Sequence, residues 1–136
     1  MTLQTKKLYY DVDVAHKINT MELLNWINHL KYITKELGHI ISVYNEALND
    51  RGYHKNMVRR FQKKQRENEN LLKALLEYSN SRSHIWACED ASRDMTYITA
   101  HDKYRRSYLY HLHKYGRLKE EFFNNAQNKF AILRIE

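Results

Sequence analysis

Four groupings in this chain have residue types and spacings that chemistry can use. Glu36 and His39, in "KELGHI", form an E-x-x-H pair, the arrangement that points two ligands inward from one helix in carboxylate-bridged di-iron bundles. Such a centre needs a second pair and two further core-facing glutamates. The chain offers neither, so these two residues are expected on a solvated helix surface. His84 and Cys88 lie one helical turn apart and are a fit to a soft metal. No second Cys or His pair follows at zinc-site spacing, and a buried or half-buried thiol is the plainer expectation. His111 and His113 point to different faces of any helix. Asp102 and Arg105, three apart with His101 adjacent, read as an ion pair that sets register, or as a polar pocket in which carboxylate and histidine do acid–base work. No nucleophile motif or glycine-rich phosphate loop joins them. The chain is therefore expected to be non-enzymatic, with no cofactor and no metal.

The strongest chemical signal is charge. The formal net charge is +7, with eight histidines left uncounted. Lys55, Arg59, Arg60, Lys63, Lys64 and Arg66 run without an acidic residue among them, and Lys103, Arg105, Arg106, Lys114, Arg117 and Lys119 are opposed only by Asp102 up to that point. Such runs favour anionic partners. Within the second run Lys103, Arg106, Tyr110, Lys114 and Arg117 follow helical spacing opposite Tyr104 and Tyr108, so the basic and aromatic sets are mostly separate. Base stacking by the tyrosine stripe is thus disfavoured, whereas phosphate contact by the basic face stays open, with Tyr110 as its exposed aromatic. Lys55, Arg59, Lys63, Arg66, Lys103, Arg106, Lys114 and Arg117 are the candidates for contact with RNA, DNA or a ribonucleoprotein.

Long helices must position these residues. The chain has no proline and three glycines, far below the usual abundance of roughly 5% and 7%, which suits uninterrupted helices. Leu23, Ile27, Leu30, Thr34, Leu37, Ile41, Tyr44 and Leu48 follow one another at spacings of four and three, a heptad seam. Asn19 with Glu22 resembles a capping box, and Gly52 a stop, placing a first helix over about Thr20 to Asp50. A second seam runs through Val58, Phe61, Gln65, Asn68, Leu72, Leu75 and Ser79. The short connection implies an antiparallel hairpin. Counting from its loop sets Thr34 near Asn68, a polar layer that fixes register or holds a ligand.

The serines of "YSNSRSH" suggest a turn, with Ser81 or Ser83 capping a third helix. That helix carries one stripe through Cys88, Ala91, Met95, Ile98, Asp102, Arg105, Leu109 and Leu112, and another through Tyr97, His101, Tyr104, Tyr108, His111, Tyr115, Leu118 and Phe122. Two stripes suffice for two neighbours. Helix 2, about 27 residues and roughly 40 Å long, leaves an antiparallel helix 3 without a partner beyond Tyr110. The overhang would expose Leu118, Phe122, Phe123 and Phe130. Either a homodimer covers this interface, or a short fourth helix after Gly116 folds back. The same geometry brings the first basic run beside the start of the second.

The expected architecture is one all-α domain over residues 1–136, an antiparallel bundle of three long helices with coiled-coil seams. Residues 1–18 form an N-terminal extension. Its "LYYDVDVA" alternates, and "FAILRI" near the C-terminus is β-branched, so both are candidates for short terminal strands. With a single cysteine, Cys88, no internal disulfide can form, and a reducing cytoplasmic setting is the default. No window approaches the roughly 18 apolar residues of a membrane span. The rival to nucleic-acid binding is an assembly module whose aromatic C-terminal segment docks another chain.

Overall fold

The computed structural model describes the backbone of residues 3–46, 51–82 and 91–135 and the side chains of residues 13–46, 55–82 and 95–125. Three helices account for them: α1 (Leu3–Glu46), α2 (Arg51–Arg82) and α3 (Ala91–Ile135). Along α2 the partners on the other helices come in descending order. Asn68 reaches Leu30 and Thr34 on α1 while Arg82 reaches His16 and Thr20. On α3, Arg60 meets Glu121, Asn68 meets His111, and Tyr78 meets His101. Contacts between α1 and α3 instead ascend together, from Glu22 with His101 to Glu36 with Tyr115.

Each helix buries one stripe, and the stripes merge into a single apolar cluster. On α1 the seam Leu23, Ile27, Leu30, Leu37 and Tyr44 is buried as expected, joined by Ile33, Ile40 and Trp26, the last of which stacks on His101 and Tyr108 of α3. On α2 the buried line is Met57, Phe61, Asn68, Leu75, Tyr78 and Arg82; of the expected seam Phe61, Asn68 and Leu75 are buried, whereas Val58, Gln65, Leu72 and Ser79 are only half-buried. On α3 the tyrosine stripe wins: Tyr108, Tyr115, Leu118 and Phe122 are in the core, while Met95 and Leu109 of the other stripe lie mostly in solvent.

Several sequence expectations are corrected. Among the described residues there is no strand, and both segments proposed as strands continue the helices. A two-stranded ribbon is marginal alone, whereas lengthening an existing helix needs no new nucleus. Asn19 and Glu22 are no cap but lie inside α1, where Asn19 is buried. Gly52 lies inside α2 rather than ending α1. Ser81 also sits within α2, its hydroxyl donating to the Tyr78 carbonyl at 2.8 Å. The helix persists to Arg82 because that side chain is anchored on α1, its Nη2 donating to the His16 carbonyl at 2.9 Å and to Thr20 Oγ1 at 2.8 Å.

Among the described residues no fourth helix follows Gly116, because α3 runs straight through it. Interior glycine costs a helix about 1 kcal/mol, which the burial of Tyr115 and Leu118 on either side outweighs. The expected overhang disappears with it. Since α2 extends to Arg82 and α3 starts at Ala91, the first basic run lies beside the end of the second run, not its start, and α2 covers α3 as far as Glu121. Leu118 and Phe122 are consequently 5% and 7% exposed. Tyr44, Phe61 and Phe122 close this end of the bundle as an aromatic triangle, with centroids 5.9, 5.3 and 6.0 Å apart. Leu118 and Phe122 are therefore core, not a docking surface. Phe123 remains half exposed; the side chain of Phe130 lies outside the described residues, as do those of His84, Trp86 and Cys88.

Candidate functional site

Polar residues repeat every seven positions where α1 meets α3. Glu22, His29 and Glu36 face His101, Tyr108 and Tyr115 in turn, with contacts at 2.8, 2.5 and 2.5 Å. The first rung is the most connected. Arg105 donates to Glu22 from Nε at 3.1 Å and Nη2 at 2.6 Å, and from Nη1 to Asp102 at 3.1 Å. On the other side of the His101 ring, Nδ1 pairs with the Tyr78 hydroxyl at 2.8 Å, and Arg82 Nη1 donates to that hydroxyl at 3.0 Å. Trp26 stacks on His101 at 4.8 Å and on Tyr108 at 5.3 Å, sealing the rung from above.

These contacts shift the ionisation of the rung's groups. The Arg105 hydrogen bonds hold the Glu22 carboxyl below its ordinary value against the opposing effect of burial. Burial pushes His101 down despite the carboxylate beside it, with Arg82 and Arg105 adding to the effect. A neutral ring fits the contacts: Nε2–H donates to Glu22 and Nδ1 accepts from Tyr78. The rung reads as a structural network, because both ring nitrogens of His101 and both carboxylate oxygens of Glu22 are already paired. Glu36 behaves alike. Burial raises it, but Lys119 and Tyr115 bring it below the usual carboxylate range, and Lys119 Nζ lies 2.8 Å from it. His39, its partner in the E-x-x-H pattern, is exposed.

The expected polar layer at Thr34 and Asn68 is present and complete. Asn68 Nδ2 donates to Thr34 Oγ1 and to the Leu30 carbonyl, both at 3.0 Å, and Asn68 Oδ1 accepts from His111 Nε2 at 2.8 Å. Burial, reinforced by Lys64, keeps His111 below its ordinary value.

Among the described residues a groove of about 510 Å³ opens between α2 and α3, lined by Arg60, Lys63, Lys64, Glu67, Tyr110, Lys114, Arg117, Leu118 and Glu121. Helical spacing puts Arg60, Lys63, Lys64 and Glu67 on one flank of α2 and Tyr110, Lys114, Arg117 and Glu121 on the facing flank of α3. Two of the five cations are committed. Arg60 makes a two-point contact with Glu121 at 2.6 and 3.2 Å, and Lys64 pairs with Glu67 at 2.7 Å. These hydrogen bonds hold both carboxyls below their ordinary values. Lys63 and Arg117 have no ion-pair partner among the described residues, and the Lys114 ammonium sits 5.3 Å from the Tyr110 ring centre.

The groove gathers Lys63, Lys114 and Arg117 from the eight expected phosphate contacts. Lys55, Arg59 and Arg66 are exposed on α2 but do not line it, and Lys103 is exposed nearer the His101 rung. Arg106 pairs with Asp102 at 2.9 Å and does not line the groove. Arg60, Lys64, Glu67 and Glu121 join the site although the sequence did not single them out for it. The acidic pair had a signal: each glutamate follows a basic residue's turn on the groove flank. No family model matches this chain, and neither a curated protein nor a solved structure matches it.

Proposed function

We propose that this antiparallel helical bundle binds nucleic acid, alone or in a ribonucleoprotein, through the α2/α3 groove, and does no chemistry on it. The observation that carries the reading is three cations, Lys63, Lys114 and Arg117, that no carboxylate among the described residues meets within ion-pair distance and that converge from two helices on one concave surface beside an exposed tyrosine. Exposed lysine and arginine bind phosphates by releasing counterions, at about 0.7 ions per contact for a single strand. Three contacts therefore give a slope near −2 in log affinity against log salt, or about 20-fold weaker binding between 50 and 200 mM salt.

The test is to replace Lys63, Lys114 and Arg117 together by glutamine and titrate labelled RNA and DNA by fluorescence anisotropy. The salt slope should flatten by about 2, with helicity unchanged by circular dichroism. Replacing Lys55, Arg59 and Arg66 instead should cost much less. Equal losses in the two triple variants would mean diffuse charge rather than a site. The rival, docking of another chain through the aromatic C-terminal segment, retains Phe123 but not Leu118 or Phe122, which the monomer already buries. Among the described residues no helix is long and apolar enough to cross a membrane.

A further inference from the structure

We infer that the α2/α3 groove holds one unpaired nucleotide, its base against Tyr110 and its phosphate among Lys63, Lys114 and Arg117, so that the chain prefers single-stranded nucleic acid to duplex. This rests on the nucleic-acid reading above and adds to it the form of the ligand.

The groove's composition carries the inference. A receptor for bare phosphate or an anionic lipid surface gains from cations alone. This groove places two carboxylates, Glu67 and Glu121, among its five cations. Against a plain polyanion they are repulsive, but a base brings amino donors that carboxylates accept. Both are held in place, Glu121 by Arg60 and Glu67 by Lys64 through Oε2. Glu67 Oε1 has no hydrogen-bond partner among the described residues and stays available to a donor.

Tyr110 supplies the second half. It is 65% exposed, unlike Tyr108 and Tyr115 on the packed face of the same helix. Its position on the groove wall makes it a stacking platform that accepts any base. Lys114 lies over the Tyr110 ring, 5.3 Å from its centre, so a base stacking on that face displaces the ammonium toward the phosphate attached to it. A groove volume of about 510 Å³ accommodates a base with its sugar and phosphate but not the width of a duplex. Bases in a duplex are already stacked, and reaching Tyr110 would require extruding one, which costs unstacking and unpairing energy. An unpaired nucleotide has no such cost.

The experiment compares a labelled 12-nucleotide single strand with its duplex on the full chain and on three variants: Tyr110→Ala, Tyr110→Trp, and the Lys63, Lys114 and Arg117 glutamine triple. The single strand should bind more tightly than the duplex. Tyr110→Ala should weaken single-strand binding about 5- to 150-fold, leave duplex binding and the salt slope unchanged, and be rescued by Tyr110→Trp. Tyr110 is exposed, so both variants should retain the wild-type circular dichroism spectrum. If the duplex binds as well as the single strand, or Tyr110→Ala binds like wild type while the glutamine triple does not, the groove is a phosphate site and the single-nucleotide inference is overturned. If the glutamine triple also binds like wild type, or the wild type binds neither probe, the nucleic-acid reading itself fails.

Discussion

Replacing Asn68 by leucine isolates what the polar layer contributes. Asn68 is fully buried and makes three cross-helix contacts, two from Nδ2 and one at Oδ1. Leucine has nearly the same shape, so little cavity forms. The Leu30 carbonyl still accepts from Thr34 Oγ1 at 3.0 Å, which leaves the His111 Nε2–H as the buried group with nothing to donate to. A stranded donor of this kind costs about 1–3 kcal/mol. Taking 2 kcal/mol, and about 4 °C per kcal/mol for a domain of this size, Tm should fall by about 8 °C. Replacing His111 by leucine as well removes the stranded donor, and the double variant should recover at least half of the loss. Urea denaturation of the wild type, both single variants and the double variant, followed by circular dichroism, gives the cycle. A loss below about 0.5 kcal/mol for Asn68→Leu, or a double variant that costs the sum of the singles, would refute the view that this layer is a coupled unit.

Further perturbations test the fold. At Gly116 an added Cβ meets nothing within 4 Å, so Gly116→Ala should raise stability by about 1 kcal/mol if α3 is continuous there; a loss on thermal melting would point to a break. Acid should destabilise the bundle in two steps. His101 and His111 have folded pKa values below their ordinary 6.5, so the unfolded chain takes up protons first as pH falls and stability present above 6.5 is lost below it. Glu22, Glu36, Glu67 and Glu121 lie below their ordinary 4.5 and add a second loss beneath that value, so urea midpoints should be level from pH 8 to 7 and fall through pH 6 and pH 4. Rising stability between pH 7 and 5 would contradict the neutral, buried histidines. Glu22→Gln should lower the His101 pKa further, measured by proton NMR, because the carboxylate beside the ring favours its charged form.

Periodicity made the core of α1 legible, because a heptad seam from Leu23 to Tyr44 leaves few alternatives for a helix. The pairing of Thr34 with Asn68 was also legible, since a short connection makes residue counting reliable across a hairpin. Glu22 was not. Its spacing from Asn19 matches a local cap, and only the tertiary partners His101 and Arg105 reveal its role; the recurrence of polar residues at 22, 29 and 36 opposite 101, 108 and 115 was the available clue. The register of α3 failed for a different reason. Serines and glycines suggest breaks, yet Ser81, Gly52 and Gly116 all sit inside helices whose flanking contacts outweigh their weak propensities. That displaced the second basic run along α2, so the converging cations proved to be those of residues 60–64 and 114–117 rather than those at residues 103 and 106.

Fluorescence anisotropy of a labelled single strand at 50 and 200 mM salt, with the wild type and the Lys63, Lys114 and Arg117 glutamine triple side by side, tests the central claim most directly. The groove predicts about 20-fold weaker wild-type binding across that range and a triple variant whose slope is shallower by about 2. Identical binding curves for the two proteins would contradict it.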